Sequence, residues 1–267
     1  MTSIVSSTPR IRVEIAHGVA RVLIDNPTRK NAFDFSMWRA LPEIMGEIEA
    51  LEEARVVVLA GAPLLPFCSG ADISEFSTVR ATAEGGRAYE KSNVEAFDAL
   101  AQLSKPVIAA ISGFCMGGGM GLAAACDLRI ASEDSVFAIP AGRLGVGYPP
   151  AAMHYVVAAV GPQTAMDLFF TARRISAREA AQCGFLGRLL PAQGFDLEVD
   201  AIARQIALNA PLTLRAAKAA IRAASNAPHA PSPDQCEALA AACFDSADYA
   251  EGRMAFLEKR EPKFSGR

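Results

Sequence analysis

Polar and apolar residues alternate over 11–15, apolar residues return over 20–25, and His17-Gly18 lies between, so this stretch predicts a β-hairpin. Asn26-Pro27 ends it, and residues 27–32 (Pro-Thr-Arg-Lys-Asn-Ala) read as a loop. The period then becomes helical. Trp38, Leu41, Ile44, Met45, Ile48 and Leu51 fall on one stripe, Ser36 stands where a cap belongs, and Pro42 falls in the early turns. Residues 55–60 and 107–111 are short apolar runs, the pattern of buried strands. Between them, 74–84 is polar and without period, which suits either a mobile lid over a pocket or a disordered loop, and 86–103 reads as a helix.

Further on, 127–131 and 136–138 read as short strands and 150–160 as a helix, and Gly161-Pro162 opens another helix that carries 165–171. Ser176 and Glu179 have capping-box spacing, and 184–190 returns as a strand. From about residue 195 only helical patterns occur, broken at Pro211 and around 226–233. Repeated strand, strand and helix predict an α/β fold with a helical C-terminal region.

Composition narrows this picture. A chain of 267 residues can form one large domain, or a main domain with an appendage, and bury a sizeable core. Hydrophobic residues at 51% and charged residues at 21% are ordinary for a soluble globular protein. A net charge of −3, with no basic cluster interleaved with aromatics, argues against a nucleic-acid partner. No apolar run reaches the length of a membrane span and residues 1–10 lack a signal pattern, so the expectation is a cytoplasmic protein without a membrane partner. The six cysteines (Cys68, Cys115, Cys126, Cys183, Cys236, Cys243) have no metal-ligand spacing and read as reduced packing residues, and the three histidines are scattered. No metal site is expected.

Chemistry gathers at 106–131. An apolar run, 107–111, passes through Gly113 and the triplet Gly117-Gly118-Gly119 into an alanine-rich helical segment, 122–126. A strand, a glycine turn and a helix start leave backbone N–H groups pointing one way, able to hold an anion or an oxygen that becomes one. Close packing is the other reason for such a turn. No Lys-Ser/Thr pair follows as in a P-loop, and Leu122 stands where the last glycine of a dinucleotide fingerprint would. A second turn upstream, Phe67-Cys68-Ser69-Gly70-Ala71-Asp72-Ile73, also follows a strand-like run. The two turns can each offer one N–H to a shared oxygen.

Together these segments resemble the crotonase, or enoyl-CoA hydratase/isomerase, superfamily, and the likeness runs from about residue 11 to 267. It implies a crotonase-like spiral of ββα units, with a core over 1–195 carrying the CoA site and oxyanion hole and a helical trimerisation region over 196–267. The hole for an acyl-CoA thioester carbonyl would be the backbone N–H groups of Ala71 and Gly118. Arg29 or Lys30 would approach the nucleotide phosphates, and Asn31-Ala32 would line the pantetheine with backbone. Asp72, usually structural in the family, and Ile73 would border the CoA, as would Lys263 and Phe264 near its adenine. The resemblance further implies a homotrimer or a dimer of trimers (a hexamer), and no cofactor beyond the CoA of the substrate.

The chain departs from the family where hydratases carry two glutamates. Gly121 stands in place of the first, after Gly117-Gly118-Gly119-Met120, and Ala141 in place of the second, after Phe137-Ala138-Ile139-Pro140. A positioned acid or base contributes about 10²–10⁴-fold, so standard hydration should be crippled. Restoring both acids (Gly121→Glu with Ala141→Glu) is expected to raise it. Pro149 stands where the family's dehalogenases carry Asp. Asp72, Glu75 and Tyr148 are the polar side chains expected near the pocket, and Tyr148 either packs at a helix start or donates a hydrogen bond to substrate. The resulting expectation is a lyase or isomerase acting on an acyl-CoA through enolate stabilisation, decarboxylation included. An acyl-CoA-binding protein with little or no turnover is the alternative.

Overall fold

The computed structural model describes residues 4–267. A hairpin of β1 (Ile11–Ala16) and β2 (Val19–Ile24) leads through a short 3₁₀ turn, Pro27–Arg29, to α1 (Phe35–Ala50) and β3 (Val56–Gly61). Then come a second 3₁₀ turn (Ile73–Ser77), α2 (Ala83–Gln102), β4 (Val107–Ile111), β5 (Phe114–Met116) and α3 (Gly118–Ala125). The next turn of the chain holds β6 (Leu128–Ser132), β7 (Val136–Ala138), α4 (Ala141–Leu144) and α5 (Pro150–Thr171). After β8 (Ile175–Ser176), α6 (Ala177–Gln182) and β9 (Arg188–Leu190), the chain is helical: α7 (Phe195–Ala207), α8 (Pro211–Ala224), α9 (Pro233–Phe244) and α10 (Ala247–Glu258).

Six strands form the main sheet in the order β1-β2-β3-β4-β6-β9, antiparallel at β1–β2 and parallel from β2 onward. Its central strands are buried on both faces, which is why β3 and β4 read as continuous apolar runs rather than alternating ones. One face packs on α7 through Phe195, Val199, Ile202 and Ala203, and the other faces the larger core containing α1, α2 and α3. A second sheet, β5-β7-β8, is extended by a single bridge from Cys68 to Cys115. Each turn of the chain therefore lays one strand in the main sheet and one short stretch in the small sheet before its helix: β3 with Cys68, β4 with β5, β6 with β7. This is the repeated ββα unit that the sequence pattern predicts.

Three local readings change. The cap of α1 is Asp34, whose carboxylate accepts the Met37 N–H at 2.9 Å, while Ser36 donates its hydroxyl to that same carboxylate at 2.6 Å. The carboxylate, two residues earlier, can take both donors. At α6, Ser176 accepts the Glu179 N–H at 3.2 Å as expected, but the Glu179 carboxylate turns to Arg173 at 2.6 Å and leaves the box half made. Residues 74–84 are no unstructured lid: they comprise most of the second 3₁₀ turn, the Thr82 cap and the start of α2. In the C-terminal region, Lys218 of α8 donates to Asp127 at 2.7 Å and to the Lys105 carbonyl at 3.0 Å, tying that helix to the sheet. No helix among the described residues is long and apolar enough to cross a membrane.

Candidate active site

The Cys68–Cys115 bridge sets the two glycine turns side by side. The Cys68 N–H donates to the Phe114 carbonyl at 2.8 Å and the Met116 N–H returns to the Cys68 carbonyl at 2.9 Å. The approach is so close that a Cβ on Gly119 would lie 2.8 Å from the Cys68 Cβ, so no side chain fits there. Gly117, with φ 51° and ψ −115°, turns the chain from β5 into α3 in a conformation that L side chains rarely adopt. Gly118 is then the first helical residue, and its N–H has no acceptor within the helix.

Upstream, the residues flanking Ala71 are pinned. The Phe33 N–H donates to the Gly70 carbonyl and the Asp72 N–H donates to the Phe33 carbonyl, both at 2.8 Å. Among the described residues, the N–H groups of Ala71 and Gly118 meet no acceptor, and both residues line one cavity of about 340 Å³. Two free donors therefore share one cavity.

The walls explain where the missing glutamates went. A Cβ built on Gly121 would lie 2.5 Å from Phe97 Cζ and 2.6 Å from the Tyr148 hydroxyl. A glutamate at 121 would therefore have to displace Phe97 and Tyr148, which crowd the position. Ala141, at the start of α4, does line the cavity. Tyr148 packs as one of its two readings expects. Its ring packs edge-on against Phe169 with centroids 5.0 Å apart, and its buried hydroxyl has no partner among the described residues. Burial pushes its pKa up, so the phenol stays protonated.

Asp72 and Glu75 have structural partners instead. Asp72 accepts the Ser74 N–H at 2.9 Å and its hydroxyl at 2.7 Å, and its other oxygen faces Arg29 Nε at 3.7 Å. Glu75 accepts the Phe35 N–H at 2.9 Å and does not line the cavity. Ile73 does line it, at 63% exposure. Burial raises Cys68 and Cys126 to about 12 and Cys115 well above the ordinary thiol value, so all three remain neutral packing groups.

Arg29 and Lys30 diverge. Arg29 turns toward Asp72, whereas Lys30 joins Arg143, Arg173 and Arg174 in an adjoining cleft of about 670 Å³ that shares Ser69, Pro140 and Arg143 with the cavity. Arg173 is spent on Asp167 and Glu179, both at 2.6 Å. Asn31 is fully buried and braces the loop, accepting the Asn26 N–H at 2.8 Å and donating to the Pro66 carbonyl at 2.7 Å. The Ala32 carbonyl is taken by the Asn26 amide at 2.8 Å. Lys263 and Phe264 stay away from the cavity within one chain. Lys263 donates its N–H to Glu251 at 2.8 Å, and the Phe264 ring lies by Gly252 in a groove bounded by α8, α9 and α10.

Sequence reasoning passed over Arg80 and three side chains of α2: Glu90, Asn93 and Phe97 all line the cavity. Their spacing of three and four residues puts the α2 set on one helix face, which is the signal that was available. Which way that face points is decided by packing against α1 and α3.

The fold is a ββα spiral with paired glycine turns over a cavity. The sequence profile of the enoyl-CoA hydratase/isomerase family matches residues 14–267, and the chain belongs to that family, the crotonase superfamily. It is 34% identical over 252 residues to the short-chain-enoyl-CoA hydratase of Clostridium acetobutylicum, covering 91% of this chain and 92% of that one. It is 30% identical over 266 residues to the peroxisomal Delta(3,5)-Delta(2,4)-dienoyl-CoA isomerase of Arabidopsis thaliana, covering 96% and 95%. Among solved structures, an enoyl-CoA hydratase/isomerase family protein from Hyphomonas neptunium superposes with a TM-score of 0.91 at 37% identity, over 98% of this chain and 100% of the other.

Proposed function

We propose that the protein acts on an acyl-CoA thioester by holding its carbonyl between the N–H groups of Ala71 and Gly118 and stabilising the enolate that forms when charge moves onto that oxygen. The pair of acceptor-free N–H groups on one cavity carries this reading. Each such donor is worth several kcal/mol more to the enolate than to the ground state, roughly 3–4 kcal/mol. A standard two-glutamate hydratase is disfavoured, because Gly121 and Ala141 stand at both acid positions and the first is sterically closed. The polar cavity groups leave lyase or isomerase chemistry on a thioester as the class that fits.

The CoA would run out past Ile73 and Ser69 toward the basic cleft, where Lys30 and Arg143 suit its phosphates better than Arg29, which faces Asp72. Asn31 and Ala32 would shape the pantetheine path through a rigid loop rather than through free backbone groups. Lys263 and Phe264 would serve a neighbour's adenine only in an oligomer. Self-association as a trimer, or a dimer of trimers, is supported by the exposed Phe244, Met254, Phe256 and Leu257 on α9 and α10. A cytoplasmic place belongs to the same reading.

The test is mass spectrometry of enoyl, malonyl-type, aryl and branched CoA thioesters incubated with the purified protein, with light scattering for its mass. A change by water or carbon dioxide, or a shifted double bond, on a particle of three or six chains is the expected result. Thioesters that bind tightly and emerge unaltered would instead favour the acyl-CoA-binding role, and a monomer would remove Lys263 and Phe264 from the site.

A further inference from the structure

With both customary acid positions empty, the cavity still holds one carboxylate. Among the described lining residues it is Glu90, on the face of α2 that also presents Asn93 and Phe97. Glu90 is anchored twice: Arg80 donates to one oxygen at 2.6 Å and the Asn93 amide to the other at 3.3 Å. The Arg80 guanidinium itself lies over two rings, 4.5 Å from the Phe76 centroid and 4.7 Å from that of Tyr89. The carboxylate is thus fixed in orientation while its side chain keeps 21% exposure toward the cavity. Nearby, the Tyr148 hydroxyl and the Asn93 carbonyl oxygen are buried without partners. Among the described residues nothing satisfies these two polar atoms beside the ion pair.

We propose that Glu90 is the catalytic acid/base of this cavity, placed on α2 instead of at either of the two positions where the family's hydratases carry glutamate. The inference rests on the acyl-CoA reading given above. In the step, the Cα–H bond of the bound thioester breaks and its electron pair forms the enolate C=C. The carbonyl π pair moves onto the oxygen held by Ala71 and Gly118, and the proton goes to a Glu90 oxygen. Return of that proton to Cα gives exchange, and for a 3-enoyl chain deprotonated at Cα its delivery to Cγ of the dienolate gives the 2-enoyl isomer, a double-bond shift. Substrates are acyl-CoAs with an acidic Cα–H or a conjugated Cγ–H and an acyl group that suits apolar walls. The charged and titratable groups facing Glu90 are Arg80 from the segment before α2, Tyr89 on its own helix, and Tyr148 and Arg143 across the cavity. Burial pushes the Glu90 carboxyl up, with Arg80 and Asn93 pulling the other way, which suits a group that must both take and give a proton.

The experiment follows deuterium uptake at Cα of butanoyl-CoA and phenylacetyl-CoA in heavy water, with calorimetric binding of the same thioesters. The wild-type chain should exchange, and its rate should climb between about pH 4 and pH 8 on a single deprotonation above the ordinary carboxylate range. E90Q should bind within a few-fold and exchange about 10²-fold more slowly, and E90D should recover part of the rate. E90Q exchanging at the wild-type rate, or a wild-type rate independent of pH over that range, would overturn the role of Glu90 and leave the acyl-CoA reading standing. Binding without any wild-type exchange would overturn it too. Absence of both binding and exchange would take the acyl-CoA reading down as well. The wild-type pH profile keeps the test decisive even if E90Q, with Arg80 unpaired, folds poorly.

Discussion

Gly118→Pro is expected to reduce turnover of any responsive thioester by about 10²–10³-fold, or ~2.7–4 kcal/mol of transition-state stabilisation, the typical loss of one oxyanion donor. Proline suits the first position of a helix, so α3 itself should survive the change. The complication is space, because a Cβ at this position would lie 3.0 Å from two carbons of the buried Trp38 ring. Gly118→Ala is therefore the control: it brings the same Cβ against Trp38 but keeps the N–H. Steady-state kinetics on both variants, with circular dichroism for folding, separates the two effects. If alanine is as damaging as proline, crowding of Trp38 explains the loss and the N–H has no special part. If proline leaves the rate unchanged, Gly118 does not stabilise the oxyanion.

Gly121→Glu, the change that sequence logic recommends for restoring a hydratase, is expected to destabilise the fold by about 3 kcal/mol or more and to yield no hydratase. Overpacking a filled core costs ~1–3 kcal/mol, and a carboxylate buried without a partner adds its own penalty. The first added carbon already stands 2.5 Å from Phe97, which is 1% exposed. For a chain of this size the melting midpoint should fall by roughly 10 °C. Phe97→Ala alone should cost about 3–5 kcal/mol, because it empties a buried ring site. Combined with Gly121→Glu, it should cost less than the sum of the two, since the glutamate then occupies the vacated space. Additive losses would mean that Phe97 is not what excludes the side chain. A stable single variant that hydrates a short enoyl-CoA would show that this wall yields readily and that the missing glutamate alone separates the chain from a hydratase.

The central strands, the hairpin, the break at Gly161 and the C-terminal helical breaks at Pro211 and 226–233 were legible because each carries a local signal: an apolar run, an alternation, a glycine, a proline; the division between α9 and α10 was not. Nor was the strand β5, since Phe114–Met116 lies between Gly113 and the Gly117 triplet and reads as part of the glycine turn. The α1 cap was misplaced because Asp34 and Ser36, two residues apart, both have cap chemistry, and only the geometry shows the Asp34 carboxylate accepting from Met37 and from Ser36 itself.

The candidate site divides in the same way. Both glycine turns were visible in the chain, since close backbone approach at Gly119 and the positive φ of Gly70 and Gly117 favour glycine there. The two absent glutamates were visible as well, as residues read off in order. What fills their place was not. Phe97 and Tyr148 come from segments 51 residues apart, and Glu90 meets Arg80 and Asn93 in a wall formed when α2 packs against α1 and α3. Sequence by itself determined the family, the buried central strands and the two turns, because those are requirements written locally. Tertiary structure alone decided which side chains share the cavity and whether an acid fits at Gly121, because side-chain neighbours across helices are set by packing, and packing has no signature along one segment of chain.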